Sequence, residues 1–544
     1  IRGRRDHLNK VSLILCIHNH QPVGNLEGVF EHAYKSAYRP FLEAMEEFPE
    51  IRFVVHNTGP LLEWYEKNAP DYIERLRALV DRGQVEVLSG AFYEPILPAL
   101  PRRDMLGQIG MMNRYVEDVF GARPRGMWLA ERVWEPHLAS ALGDAGIEYL
   151  ALDDYEFLLS GMSAEDMVGY FFTDDQGVPV RLFPILKALR YTIPFQPPDA
   201  TIDILRSVAD RGPGLLAVFG DDGEKFGIWP GTHEHVYGGG WLNRFLSALN
   251  ENADWIETTT FADFVDTHPP EGRVYLPAAS YPEMMEWALP TAARRTYERM
   301  QEQLKEEGRF DEWGPFLSGG TWRGFLAKYR ESNLMVRKMM RVSDKVERAS
   351  RTVETLRELG ELNHAARDDG TGRNPAVDPA SIGEAKKELW RGQCNCAYWH
   401  GVFGGLYLPH LRSAVYEHLI RAENLIDASL GTSWSQLEVV DHDLDGRQEV
   451  VLETDWANAY VWPSLGGILQ EFDLRRPAWN VLGTMSRYIE AYHESAPKPA
   501  DHEPSGEIAS IHDAMAPREE GLERLAVADP LPRGGAIDRF LEPE

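Results

Sequence analysis

Short apolar runs alternate with longer amphipathic stretches over about the first 280 residues of the chain. The apolar runs predict buried strands at 11–17, 51–55, 84–88, 126–128, 149–152 and 215–219. A helical period in the apolar positions predicts helices at 30–47, 60–82 and 103–120. Alternating strands and helices are typical of a parallel sheet, and the pattern leaves open whether that sheet is flat or closed into a barrel.

The pattern changes in the second half of the chain. Long helical periods at 291–307 and 324–350 replace the strands, and apolar runs at 436–440 and 449–452 then predict β-structure. We therefore predict three domains: an α/β domain at 1–285, a helical domain at 286–430, and a β-sandwich-like domain at 431–544. The chain ends without an apolar run typical of a final strand, so we expect this last domain to be incomplete.

Composition narrows the classes of partner. The 544 residues carry a formal net charge of −29, which argues against a nucleic acid or an anionic membrane as partner. No apolar run is long enough to cross a bilayer, so no transmembrane helix is predicted. Three cysteines cannot form a disulfide framework in a chain of this size, which favours a reducing, cytoplasmic location.

Polar residues with catalytic side chains follow four of the predicted strands. In a parallel α/β fold the carboxyl ends of the strands meet at one edge, where active sites are found. Reading just beyond each strand therefore selects a small group of candidates: His18 and His20, Glu94, Glu131, and the cluster Asp221, Asp222 and Glu224.

Paired carboxyl groups are the machinery of glycosidic bond cleavage, in which one group attacks or activates and the other transfers a proton. Asp222 and Glu224 would share a face in an extended chain and could point into one cavity. An acidic turn that caps a helix or faces solvent is the alternative for such a cluster, because Asp and Gly are common in turns.

Five segments of this sequence, in the same order, resemble glycoside hydrolase family 57, and in particular its 4-α-glucanotransferase branch. They cover about the first 330 residues, and a weaker resemblance continues through 393–401 and into the last third. The segments are His18-Asn-His-Gln-Pro22, Gly83-Gln-Val-Glu86 with Phe92-Tyr-Glu-Pro95, Trp128-Leu-Ala-Glu131, Asp221-Asp-Gly-Glu224 and Gly319-Gly-Thr-Trp322.

The resemblance implies a distorted seven-stranded (β/α) barrel, with the helical domain completing the active-site cleft. It makes Glu131 the nucleophile and Asp222 the acid/base of a retaining reaction that needs no cofactor, with Asp221 as the competing acid/base. The implied substrate is an α-glucan or maltooligosaccharide, and a homodimer is expected. Glu94-Pro95 stands where many members have His-Pro, and the resemblance implies that glutamate here is the transferase-like variant, which favours a glucanotransferase over a branching enzyme or an amylopullulanase. An α-amylase is the runner-up.

The matching segments also supply candidates for substrate binding. We expect the polar side chains of His20, Glu94 and Glu224 to bind sugar hydroxyls. Aromatic rings stack on sugars, so Trp229, Trp322 and Trp399 are candidate platforms, although core positions would explain the same residues.

A metal-dependent carbohydrate deacetylase or mannosidase remains an alternative, because Cys16, His18 and His20 share one strand face and imidazoles bind metals. A catalytically inactive glucan-binding scaffold is a third possibility.

Asp441, Asp443 and Asp445, followed by Gly446, have the opening pattern of a calcium loop, so a structural calcium ion is predicted there. The twelfth position of this loop is Leu452, which excludes an EF-hand. The alternative is a solvated acidic turn between two strands.

Overall fold

The computed structural model describes residues 9–358, 379–430, 433–491, 493 and 527–537. The chain divides into two compact units, the first formed mainly by Asn25–Trp322 and the strand before it, and the second mainly by Arg323–Ser495. The first unit contains the strands β1 (Val11–Asn19), β2 (Phe53–Asn57), β3 (Val85–Val87), β4 (Gly126–Met127), β5 (Tyr149–Asp153), β6 (Phe171–Asp175), β7 (Val178–Ile185), β8 (Leu215–Asp222), β9 (Ile256–Thr259) and β10 (Gly272–Arg273).

Parallel pairing arranges seven of these strands as a distorted barrel. One sheet has the order β3-β2-β1-β8, and β4, β5 and β7 are neighbours in a second. Ser89, just after β3, pairs in parallel with Met127 of β4, and the Leu186 amide after β7 donates to the Val218 carbonyl of β8 at 2.9 Å. These contacts join the two sheets at both edges and confirm the predicted barrel class.

The barrel interior is apolar, which explains why its strands appear as uninterrupted apolar runs. Cys16, Val54, Leu216 and Val218 belong to one buried cluster with Trp128. Helices between the strands cover the outside: Glu27–Ala33, Arg39–Glu47, Gly59–Asn68, Pro70–Asp81, Arg102–Phe120, Leu138–Asp144, Asp154–Leu159, Lys187–Thr192, Pro198–Ala209, Trp241–Glu251 and Phe261–Thr267. Three more helices follow β10 in the first unit: Pro282–Trp287, Thr291–Glu306 and Phe310–Trp313.

Proline accounts for two differences from the predicted elements. The single helix predicted at 60–82 is two helices that meet at Pro70, because proline is accepted in a first turn but not inside a helix. The pattern does not predict β7, whose apolar run is interrupted by Pro179, Arg181 and Pro184.

The second unit packs long helices against an antiparallel sheet. Its helices are Gly324–Lys328, Arg330–Glu358, Pro379–Arg391 and Pro409–Asp427. Its sheet has the sequential order β11 (Ser435–Val440), β12 (Glu449–Thr454), β13 (Ala457–Trp462), β14 (Ile468–Leu474) and β15 (Trp479–Asn480). The helical region and the C-terminal β-structure are as predicted, and within the described residues the β-structure is this one sheet. The three predicted domain boundaries stay a prediction.

Charged side chains fill part of the interior between the Arg330–Glu358 helix and this sheet. Lys338 is fully buried, and its ammonium lies 2.5 Å from Asp473, 3.0 Å from Glu471 and 3.3 Å from a carboxylate oxygen of Glu423. Lys345, two helical turns after Lys338, extends the network to Glu423, Asp427 and Glu453. The buried charges are paired, as burial requires.

No helix in the described part of the chain has the length and apolar character needed to span a lipid bilayer.

Candidate active site

The carboxyl ends of β1, β4 and β8 carry the candidate catalytic groups, as the strand-end argument predicts. His18 lies near the end of β1, Glu131 follows β4, and Asp222 ends β8. Glu94 lies in the turn after β3. His18 and Asp222 occupy paired positions of neighbouring strands, so the barrel itself brings their backbones together.

The backbone at Glu131 is held in a sparsely populated conformation. Glu131 has φ 53° and Arg132 has φ 50°, inside a single 3₁₀ turn at Ala130–Arg132. The Ser280 hydroxyl donates to the Glu131 carbonyl at 2.6 Å and anchors this turn. Left-handed non-glycine residues persist where the surroundings impose them, and they are concentrated at functional sites.

The Glu131 carboxyl is oriented by one phenol and influenced by one neighbouring acid. The Tyr281 hydroxyl donates to Glu131 Oε2 at 3.0 Å. Burial, and next the negative charge of Asp222, raise the pKa of Glu131 to about 7. Two carboxyl groups from opposite sides of the barrel therefore interact electrostatically.

Asp222 also interacts electrostatically with Glu224. Glu224 lies in a turn, and not in the extended chain that would place it on the same face as Asp222. The chain leaves β8 at Asp222 and forms a 3₁₀ turn at Gly223–Phe226. A side chain at Gly223 would collide with the Asn19 amide, so glycine is required for this approach to β1. Tyr38 and the His20 amide both donate to Glu224. Burial, and next the charge of Asp222, raise the pKa of Glu224 to about 7.

Asp221 points away from this cluster into an ionic network. Its Oδ2 lies 3.0 Å from Arg190 Nε and also pairs with Lys225, and its Oδ1 accepts the Asp222 amide at 2.9 Å. Arg190 reaches on to Asp153 at the end of β5, at 2.7 Å. Burial alone would raise the pKa of Asp221, but Arg190 and Lys225 outweigh it and hold that pKa below its usual range. Asp221 is therefore a permanent anion that supports the position of Asp222.

Two histidines hold the carboxylate of Glu94. His18 Nε2 lies 2.9 Å from one oxygen of Glu94, and His20 Nδ1 pairs with the other. The His18 ring also stacks on Trp128, with ring centres 4.7 Å apart. Burial opposes ionisation of Glu94, but His18 and His20 outweigh it and lower its pKa, so this carboxylate stays ionised.

His56 completes this arrangement, and the sequence analysis missed it. Its Nδ1 lies 2.9 Å from His18 Nδ1. Burial, and next the neighbouring His18, lower the pKa of His56 to about 3, so its ring is neutral. The arrangement that leaves no buried N–H unpaired has His56 Nδ1–H donating to His18, and His18 Nε2–H donating to Glu94. His56 lies at a strand end like the other candidates, so the same rule applied to the second strand would have found it.

The three predicted aromatic platforms are all buried. Trp229 stacks on Phe195 at 5.8 Å with Lys225 over its ring, and Trp322 is 3% exposed. Trp399 belongs to the second unit, where its indole donates to Asn395 at 2.8 Å. Sugar stacking on these three rings stays a prediction.

Among the residues that the structure describes, two clusters have the composition of a metal site. Ligand atoms of His18, His20 and Glu94 lie within 4.8 Å of one another, and so do those of Asp441, Asp443 and Glu449 in the second unit. The first cluster also has the direct histidine–carboxylate contacts described above, which explain its geometry without an ion.

The sequence model of Glycosyl hydrolase family 57 matches residues 14–277. Models described as Alpha-amylase/4-alpha-glucanotransferase, middle domain and C-terminal, match 320–369 with 373–426, and 441–544. The chain is 42% identical to a 4-alpha-glucanotransferase of Thermococcus litoralis, over 99% of this chain and 75% of that protein.

The chain belongs to glycosyl hydrolase family 57.

Other proteins with a similar sequence carry a different name. An Alpha-amylase 1 of Dictyoglomus thermophilum is also 42% identical, over 97% of this chain and 72% of that one. The crystal structure of the Thermococcus litoralis 4-alpha-glucanotransferase superposes with a TM-score of 0.80 at 42% identity, covering 90% of this chain and 71% of the other. The fold and the family are thereby established, and the similar sequences carry both glucanotransferase and amylase names.

Proposed function

We propose that this protein is a retaining 4-α-glucanotransferase, which cleaves and re-forms α-1,4-glucosidic bonds of starch, glycogen or maltooligosaccharides. The observation that carries the proposal is the meeting of Glu131 and Asp222 at the ends of β4 and β8, in a chain 42% identical over nearly its whole length to a protein named 4-alpha-glucanotransferase. Two facing carboxyl groups are what a double displacement at a glycosidic carbon requires.

In the proposed reaction the two carboxyl groups carry one proton between them, and in the reactive form that proton is on Asp222. Asp222 donates it to the glycosidic oxygen while Glu131 attacks the anomeric carbon. The bond to the leaving chain breaks and a glycosyl–Glu131 ester forms. Asp222, now a carboxylate, then accepts the proton of an incoming sugar hydroxyl, which attacks the ester and releases Glu131. Tyr281 holds Glu131 Oε2, so in this proposal Oε1 is the attacking atom.

The ionic network supports Asp222 over Asp221 as the acid/base. Asp221 is almost completely buried and paired with Arg190 and Lys225, so a proton on it would leave two buried cations without their partner. Asp222 is partly exposed, as a group that must meet substrate needs to be.

We assign His20, Glu94 and Glu224 to binding sugar hydroxyls beside the reacting ring. The ionised Glu94 is fixed by two histidines, and Glu224 is fixed by Tyr38 and the His20 amide. A carboxylate already held in place binds a hydroxyl without further loss of conformational freedom. The predicted dimer, cytoplasmic location and cofactor independence stay predictions.

Incubation with maltotriose is expected to yield glucose together with a ladder of longer oligosaccharides, because a sugar hydroxyl held in line competes with water for the glycosyl–Glu131 ester. Chromatographic separation of the products measures this. The Asp222→Asn variant, run in parallel, should form neither series and thereby excludes a contaminating enzyme. Short products alone, with reducing ends rising in step with bond cleavage, would make the protein an α-amylase.

The metal-dependent alternative is tested on the same substrate. The cluster of His18, His20 and Glu94 is the observation that keeps it open. Activity on maltotriose that survives exhaustive chelation would remove this alternative and also the inactive scaffold. Activity lost on chelation and restored by zinc would instead contradict the double-displacement proposal.

The acid limb of the pH profile is expected near pH 7. Glu131 must be ionised to attack, and its pKa of about 7 means that kcat/KM should fall about tenfold per pH unit well below that value. Measurement with a glucosyl fluoride, whose leaving group needs no acid, isolates this step. In Asp222→Asn the limb should move to lower pH, because the neighbouring charge that raises the pKa of Glu131 is gone.

Glu224→Gln is the matched control for this profile, since Glu224 has a raised pKa of similar size. If the acid limb reports the ionisation of Glu131, it should stay near neutral pH in this variant. A limb near pH 4.5 in the parent protein would contradict the raised pKa of Glu131.

A further inference from the structure

The acidic turn between β11 and β12 is folded around the carboxylate of Asp441. Asp441 Oδ1 accepts the Asp445 amide and Oδ2 accepts the Gly446 amide, both at 3.0 Å. Gly446 has φ 87°, in the left-handed region that glycine enters without strain. A glycine at this sixth position makes the sharp bend of calcium loops, and the turn has the same backbone requirement.

Glu449, the first residue of β12, contributes a buried carboxylate oxygen that has no hydrogen-bond partner. Its side chain is 0% exposed. Oε2 accepts the His442 amide at 2.7 Å, whereas Oε1 is buried and makes no hydrogen bond. Leaving a charged oxygen buried and unpaired is costly, and a bound cation would supply the missing partner.

Three carboxylates come together in this turn. Ligand atoms of Asp441, Asp443 and Glu449 lie within 4.8 Å of one another. Asp443 Oδ1 accepts the Asp445 amide at 3.2 Å, and its Oδ2 accepts the Trp462 indole at 2.9 Å. Arg337 is a positive group that interacts with Asp441 and Asp443, and its single charge cannot balance three carboxylates. The arrangement is complementary to a divalent cation.

We propose that Asp441, Asp443 and Glu449 bind a calcium ion. Counted from Asp441, these are positions one, three and nine of the loop, and position nine is one that calcium loops use. Glu449 thus supplies the glutamate ligand that Leu452, at position twelve, cannot supply. Asp445, the third aspartate of the sequence motif, has a different role here, because its Oδ1 accepts the Arg447 amide at 2.8 Å and shapes the turn.

The donor set favours calcium over other common cations. All three ligands are carboxylates, which suit hard cations, whereas zinc sites are built from cysteine and histidine. Calcium accepts six to eight oxygens at about 2.3–2.6 Å in irregular geometry, and water can complete its shell at a partly exposed turn. Magnesium demands a near-regular octahedron, which an irregular loop supplies less readily.

The ion would fix the turn to two other elements of the second unit. The Asp443 carbonyl accepts the Asn333 side chain, from the Arg330–Glu358 helix, at 2.8 Å. Trp462, whose indole donates to Asp443, is the last residue of β13. Binding to the folded state alone stabilises a protein by mass action, so calcium should raise the melting temperature of the protein.

Terbium luminescence on the purified full chain tests the site directly. Terbium takes the oxygen ligands of calcium, and the Trp462 indole beside Asp443 should sensitise its emission. Calcium should displace it and abolish the signal. Glu449→Gln should weaken binding at least ~100-fold, because even residues outside the ligand shell of a metal commonly account for 10–100-fold in affinity. Asp445→Asn, which keeps an oxygen for the Arg447 amide, should bind within a few-fold of the parent.

A second variant separates binding from folding. Trp462→Phe should lose the sensitised emission and keep the calcium-dependent rise in melting temperature, whereas Glu449→Gln should lose both. The proposal is overturned if the parent shows neither emission nor a melting shift, which would leave a solvated acidic turn. It is also overturned if Asp445→Asn weakens binding as much as Glu449→Gln, because the ligand set would then be wrong.

Discussion

Replacing Glu131 with glutamine is expected to reduce turnover on maltooligosaccharides by roughly four to six orders of magnitude, the range seen when a covalent nucleophile is removed. The amide cannot form the glycosyl ester, yet its oxygen can still accept the Tyr281 hydroxyl that now contacts Glu131 Oε2. The fold should therefore be kept. Turnover measured beside the urea midpoint of unfolding separates the two effects.

Azide distinguishes a nucleophile from an acid/base by the anomer it produces. In Glu131→Ala, azide would enter from the side where the carboxylate stood, and a single displacement on an α-glucosyl fluoride gives the β-azide. In Asp222→Ala, azide would attack the glycosyl–Glu131 ester, and two displacements give the α-azide. If Glu131→Ala gave the α-azide and Asp222→Ala gave the β-azide, the roles of the two residues would be reversed. Turnover of Glu131→Gln within tenfold of the parent would exclude Glu131 as nucleophile.

Substitution of the neighbouring aspartates is expected to affect different properties, activity for Asp222 and stability for Asp221. Asp222→Asn should reduce kcat on maltooligosaccharides by about 10²–10⁴-fold, the usual contribution of a general acid, and should affect formation of the ester from a glucosyl fluoride far less. Its stability should stay close to that of the parent, because Asp222 has no ion pair among the described residues.

Asp221→Asn is expected to act on stability. Removing this anion leaves Arg190 and Lys225 buried without their partner, and breaking a buried pair costs about 3–5 kcal/mol of unfolding free energy. Activity should therefore be expressed per folded molecule, with the folded fraction taken from urea unfolding. A stable Asp221→Asn that loses activity on maltooligosaccharides but still forms the ester from the fluoride, beside an Asp222→Asn that keeps activity on maltooligosaccharides, would reverse the assignment.

The sequence predicts this site well because each candidate directly follows an apolar run. Six of the seven barrel strands are such runs, so the rule that chemistry lies at strand ends selects Glu131, Asp222, Glu94 and His18. The pattern does not predict the remaining strand, β7, because two prolines interrupt its apolar run. A seventh strand is implied only by the family resemblance. His56 is in reach of the same rule, at the end of β2.

Other parts of the site depend on contacts between residues far apart in the chain. Tyr281 lies 150 positions after Glu131, and Arg190 lies 31 positions before Asp221, in a short helix whose sequence carries no catalytic pattern. The adjacent Asp221 and Asp222 look equivalent in sequence. Only the position of Arg190 and Lys225 shows that one is an internal counter-ion and the other faces Glu131 and Glu224.

The charged interior around Lys338 and Lys345 has a consequence for how the second unit responds to heat. The hydration of charged groups has a strongly negative entropy, so water solvates them less favourably as temperature rises. The cost of keeping the Lys338–Glu423–Asp473 group out of water therefore falls on warming, while the gain from apolar burial levels off. Among the interior contacts of the second unit, the ionic ones thus gain in relative weight toward high temperature.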